Sequence, residues 1–248
     1  MRQEKQEEVC NVANGTLGVL IGEKHSLKDW GLGWISIDLG FPEAKTYEQD
    51  VPGADGVLDL TDAMTGGDVK FKNRPISLEF ETPDRDFYEW SEIISEIANY
   101  LAGKKMKIIM DNDPQFYYIG RLALNVEKTD RETGKLVLSG DVDPYKYEIA
   151  SSLEDWPWDP FNFETGVIRE YKNLLVEDTL ELFIYGRRKR IIPVIECSAV
   201  MSVTFDGKTF ELPAGKSKVF DICLKEGENI LVFTGNGMVS VDYRGGSL

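Results

Sequence analysis

A mainly β chain in two blocks, the first carrying one α-helix, is the fold that the sequence predicts. Three observations support it. Short apolar-alternating runs recur between Gly, Pro, Asn and Asp turns along most of the 248 residues. One segment repeats its apolar residues at three- and four-residue steps. A stretch at 141–148, with Pro144 and little periodicity, interrupts the pattern. The expected division is therefore a block at 1–147 and a second at 148–248, each able to bury a core without metals or disulfides.

The elements follow in order. Trp34, Ile35, Ile37 and Leu39 alternate imperfectly between Gly33 and Gly40, as in a half-buried strand. Runs at 57–60 and 69–71, and Ile76, Leu78 and Phe80, read the same way. After Thr82-Pro83-Asp84, the residues Phe87, Trp90, Ile93, Ile94, Ile97, Tyr100 and Leu101 form one helical face. Asp84, Asp86 and Glu89 suit its positive end, and Gly103 its stop. Strands at 107–110 and 116–124 flank Asp111-Asn112-Asp113-Pro114, and a further pair flanks a turn at 130–134. The second block reads as strands at 180–185, 191–196, 201–205, 209–212, 219–224, 230–234 and 238–243. Asp206-Gly207, Gly227-Glu228-Asn229 and Gly235-Asn236-Gly237 are its expected turns. Such short, evenly spaced strands predict a β-sandwich or jelly roll.

Composition excludes several functions. Lys plus Arg number 28 against 43 Asp plus Glu, a net charge of −15. That charge repels phosphate backbones and anionic membranes, so sequence-specific nucleic-acid binding and membrane binding are not expected. No apolar run is long enough to span a bilayer, and the charged N-terminus lacks a signal peptide's apolar core. Cys10, Cys197 and Cys223 have no metal-site or disulfide spacing, and fit a reducing compartment. His25 is the only histidine, which rules out a multi-histidine metal site. It lies in a polar stretch and reads as a surface or turn residue.

Catalytic chemistry is not indicated. There is no nucleophile elbow, no phosphate-cradling Gly loop feeding a helix, and no calcium loop of full length. No cofactor or metal is expected, and the chain reads as a structural or binding protein rather than an enzyme. Trp156-Pro157-Trp158 could stack on a sugar ring or pack a linker onto its own domain. The basic run 187–190 reads as a solvated hairpin turn, or alternatively as a patch for an acidic partner.

The segment at 51–61, VPGADGVLDLT, combines a Pro-Gly turn, an Asp-Gly turn and an alternating strand. Read alone it is a loop and an edge strand. Followed by DVKFKNR at 68–74 and a strand, it closely resembles the distal tail protein (Dit) family of siphophages of Gram-positive bacteria. KHSLKDWGL at 24–32, Phe41-Pro42-Glu43, DVDPYKY at 141–147, WPWDPFNFETGVI at 156–168 and the closing GNGMVSVDYRGGSL resemble further parts of the family in the right order. Ala54 departs from the motif, which favours Arg there, so no ring salt bridge is expected from that position.

The resemblance implies a virion component at the distal end of a long non-contractile tail, made in the host cytoplasm. It implies a homo-hexamer whose N-terminal domains form a hub ring and whose C-terminal domains are galectin-like β-sandwiches outside it. One ring face would dock to the tail tube protein, the other to the tail-associated fibre or lysin protein of the adsorption apparatus. Closed rings use heterologous contacts, and the stretch at 51–74 supplies both signs of charge. Asp55, Asp59, Lys70 and Arg74 are therefore the candidate ring-interface residues. An acidic lumen would suit the passage of DNA. The alternative is a carbohydrate-binding module, with Trp156, Trp158 or Tyr185 as contacts.

Overall fold

The computed structural model describes residues 17–82, 87–127, 134–154 and 170–248. The chain is mainly β and divides into two compact units, Met1–Pro144 and Tyr145–Leu248. The sequence placed the division after 147.

The N-terminal unit opens with β1 (Val19–Ile21), β2 (Lys24–His25), helix α1 (Ser26–Trp30) and β3 (Gly33–Leu39). Next come β4 (Glu48–Asp50), β5 (Val57–Asp59) and α2 (Thr61–Thr65). They are followed by β6 (Arg74–Thr82), α3 (Phe87–Leu101), β7 (Met106–Met110), β8 (Phe116–Glu127) and β9 (Gly134–Val142). An antiparallel sheet runs in the order β2-β1-β7-β8-β9-β6-β3, while β4 and β5 make a separate two-stranded ribbon. The period-two pattern puts Ile76, Leu78 and Phe80 of β6 on one face with Leu136 and Leu138 of β9, and all five are buried. Trp90, Ile93, Ile97 and Leu101 of α3 enter the same core, so the helix lies across the sheet as its apolar stripe requires. It ends where Ala102 and Gly103 turn to φ 35° and 67°, next to the stop read from the sequence.

The sequence predicted one helix, and the described residues hold three. The two additions have five residues each, too short to display a helical period. The run at 69–71 is not a strand; only Phe71 bridges, to Ala44.

The C-terminal unit contains β10 (Lys146–Glu148), β11 (Leu174–Gly186), β12 (Val194–Cys197), β13 (Met201–Phe205) and β14 (Lys208–Leu212). It continues with β15 (Gly215–Ser217), β16 (Gly227–Asp242) and β17 (Gly246–Ser247). β16 organises it. Its first part pairs with β13 through 232–234, its last part with β12 through 239–242, and β11 pairs with it from Gly227 to Val239. Side chains from both halves, including Leu231, Phe233, Val239 and Val241, pack into one core with Ile195, Val203 and Phe205. The result is a sandwich whose halves share a strand.

Gly235-Asn236-Gly237 is therefore not a hairpin turn. β16 runs through it, and Gly235 and Gly237 take φ 144° and 147°, a region closed to other residues. A Cβ on Gly235 would lie 2.8 Å from Met201 Cβ, and one on Gly237 would lie 2.7 Å from Ser198 Oγ. The glycines let the strand bend against the neighbouring chain. Gly227-Glu228-Asn229 likewise opens β16 rather than preceding it, and 219–224 contributes only the Ile191–Leu224 bridge.

Candidate assembly interface

β3 and β6 pair inside the sheet as far as Leu39↔Ile76. Pro75 and Arg74 still pair with β9, and beyond them the two segments leave the sheet and stay together. Gly40 N donates to Pro75 O at 3.0 Å, Lys72 N to Glu43 O at 2.8 Å and Lys45 N to Lys70 O at 2.7 Å. Further out, Leu60 N donates to Tyr47 O at 2.8 Å, and Glu48↔Asp59 through Asp50↔Val57 form the β4–β5 ladder. The apex is the expected turn, with Gly53 at φ 86° and Gly56 at φ 75°, values that suit glycine. The segment 41–73 is thus an arm projecting from one hairpin.

No residue of this arm is buried. Phe41 is 85% exposed, Met64 68%, and Val51, Val57, Leu58 and Val69 are exposed as well. A two-stranded ribbon without a core is marginal in water, and clustered exposed apolar side chains mark a surface meant to be covered. Charge is distributed unevenly along the arm. The outer part carries Glu48, Asp50, Asp55, Asp59 and Asp62 with no Lys or Arg between 46 and 66. The root carries Lys45, Lys70, Lys72 and Arg74 with Glu43 and Asp68.

The four candidate interface residues occupy different settings, three on this arm and Arg74 in β6 at its root. Asp55 is exposed at the apex. Asp59 ends β5, and its Oδ1 accepts the Thr61 N–H at 2.8 Å. The Thr61 side chain first, and then this backbone bond, hold its carboxyl below the ordinary range. Lys70 is ion-paired to Asp68 at 2.6 Å in an exposed setting. Arg74 differs from the other three: it is 4% exposed. Its Nε donates to Gly40 O at 2.8 Å, joining the two roots of the arm. Its guanidinium carbon lies 5.5 Å from the Tyr118 ring centre and 5.9 Å from that of Phe41. Nη1 is buried without a hydrogen-bond partner, and burial lowers the guanidinium's affinity for its proton.

In the C-terminal unit, Trp156 and Trp158 lie outside the described residues. Tyr185 is half exposed on β11, beside Phe183 and Ile230, which face each other across the β11–β16 ladder and are also exposed. The basic run at 187–190 is held within its own unit. Arg187 donates to Glu148, whose other oxygen accepts Gly245 N–H at 2.8 Å. Arg188 pairs with Glu226 at 3.0 Å, and Lys189 Nζ lies 4.2 Å over the Tyr147 ring.

His25 is buried rather than at the surface. Its Nδ1 accepts the Leu27 and Lys28 amide protons at 3.2 and 3.3 Å, capping α1. That leaves the proton on Nε2, facing Asp111 at 3.2 Å. Local sequence could not show this, because Asp111 comes from the distant β7–β8 turn. Ser26, beside it, receives the Val19 N–H, so the pair is structural. An open cleft of about 530 Å3 lies along Gly120, Arg121, Gly140 and Asp141. It carries charges of both signs, Lys105 and Asp143 pairing at 2.9 Å. Among the described residues no metal-binding group of His, Cys, Asp and Glu is formed. No helix among the described residues is long and apolar enough to cross a membrane.

No family model matches the sequence, and no curated protein matches it. The fold, however, resembles that of a solved phage protein. It is similar to the crystal structure of SPP1 Dit (gp 19.1), described as a paradigm of the hub adsorption apparatus in phages infecting Gram-positive bacteria. The match covers 92% of this chain and 99% of that one, with a TM-score of 0.58 and 14% identity. At that identity the likeness is one of fold, and it agrees with the family resemblance read from the sequence.

Proposed function

We propose that the chain is a structural component of a siphophage tail tip, a hub subunit rather than an enzyme. In this reading six copies form a ring at the distal end of the tail. The ring joins the tail tube to the tail-associated fibre or lysin protein, and DNA passes through an acidic lumen. The observation that carries it is the arm at 41–73, an ordered projection with no buried residue and a row of exposed apolar side chains. Such a projection needs another chain to cover it. The dyad of fold likeness and unburied arm supports assembly over a solitary binding module.

Light scattering across protein concentration, with negative-stain imaging, tests this. Six copies of a 28.0 kDa chain amount to about 168 kDa, and a ring with a central hole is expected. A monomer at every concentration, with and without tail tube protein, would overturn the reading. A second reading, sugar binding by the C-terminal unit, is favoured by the exposed Tyr185 and Phe183 on β11. Glycan-array binding lost on Tyr185→Ala is its signature.

A further inference from the structure

The structure assigns to Arg74 the role of a carboxylate receptor, filled by Asp55 from the arm of a second copy of this chain. The inference rests on the assembly reading above and names the contact within it. A guanidinium carries five N–H donors in a planar fork. In Arg74 one of them is used on Gly40 O, while Nη1 is sealed from solvent with nothing to donate to. A buried cation with an unmet donor is costly, and a Met or Leu would fill the same space without that cost. The fork is suited to a carboxylate, which can take two parallel hydrogen bonds. Access is provided on one side. Phe41, which covers the guanidinium, is 85% exposed and belongs to no core, so moving it aside breaks little packing.

The ligand is argued from charge and from reach. The outer arm holds five carboxylates and no cation, while the root is where the arm's cations gather. Within one chain the paired ribbon keeps apex and root apart. From Gly40 to Asp50 an extended ribbon spans up to about 30 Å. Only another copy can therefore bring an apex to a root. Of the outer acids, Asp59 already accepts the Thr61 amide, and Asp62 sits in the first turn of α2. Asp55 stands exposed in the apex turn, with no hydrogen bond to its carboxylate among the described residues. Apex on root is a head-to-tail contact, the kind that repeats around a closed ring.

The test is a double-substitution cycle in the full chain, read as the self-association constant from sedimentation across concentration. Asp55→Asn and Arg74→Gln are each expected to weaken association by about tenfold or more, as loss of a charge-assisted bond would. The double variant is expected to be no weaker than the worse single one, and Asp55→Glu to keep most of the affinity. Because Asp55 is exposed at the apex, Asp55→Asn should leave the thermal unfolding curve unchanged at concentrations where the chain is monomeric, so its result stands even if Arg74→Gln folds poorly. An assembly whose affinity Asp55→Asn leaves within about twofold of the original, or effects that simply multiply, overturns the inference while sparing the assembly reading. An original chain that never associates overturns both.

Discussion

Glu148 can be buried because two partners share its charge: Arg187 on one oxygen and the Gly245 amide on the other. Gly245 has to be glycine for this geometry, since a Cβ there would lie 2.5 Å from Glu148 Oε2. Glu148→Gln keeps the shape but removes the negative charge that faces Arg187. The C-terminal unit is expected to lose about 3 kcal/mol, the range for breaking one side of a buried pair, measured by urea unfolding. Gly235→Ala attacks a different constraint. The backbone at φ 144° excludes a side chain, and Met201 closes the space. A loss of about 2–4 kcal/mol is expected from strain and overpacking. Asp59 gives a pH signature. Its folded-state carboxyl is more acidic than in the unfolded chain. The hydrogen bond from the Thr61 amide therefore exists in full above the ordinary carboxylate range and is lost as pH falls through the depressed value. The Thr61 amide resonance should titrate there, and Asp59→Asn should abolish that titration.

Among the elements, the arm and α3 make opposite contributions. Trp90, Ile93, Ile97 and Leu101 tie α3 into the core, whereas no residue of the arm at 41–73 is itself buried. Replacing 41–73 by a short Gly-containing turn, leaving Gly40 and Arg74 in place, should change the stability of the N-terminal unit by less than about 1 kcal/mol. The same deletion should abolish self-association, which light scattering would show. These elements also differ in how legible they were. The α3 stripe and the Pro-Gly apex could be read directly, because a helical period and a turn are local patterns. β16 could not. Its Gly235-Asn236-Gly237 carries every local mark of a turn, and only pairing with the remote β11 and the approach of Met201 keep it a strand.

For the whole molecule, the interruption in patterning at 141–148 led the sequence reading to divide the chain after 147, while the compact units divide after Pro144. The candidate site was half legible. Sequence placed Asp55, Asp59, Lys70 and Arg74 on one projecting stretch because that stretch is contiguous. It could not distinguish Arg74 from the lysines, because its burial depends on Tyr118 of β8 and on Phe41 folding back over it. At this scale the prediction concerns salt. An assembly joined through acidic apices and cationic roots should loosen as ionic strength rises, with sedimentation at low and high salt as the measure.

The pairing of β10 with β17 has one more consequence. Lys146 lies opposite Ser247 and Tyr147 opposite Gly246, so the C-terminal unit begins and ends at the same place. A chain of this kind is topologically a loop tied at its neck. Its order of assembly is therefore interchangeable: a circular permutant joining 145 to 248 by a few glycines, and reopened at the exposed Asp206-Gly207 turn, should fold to the same sandwich.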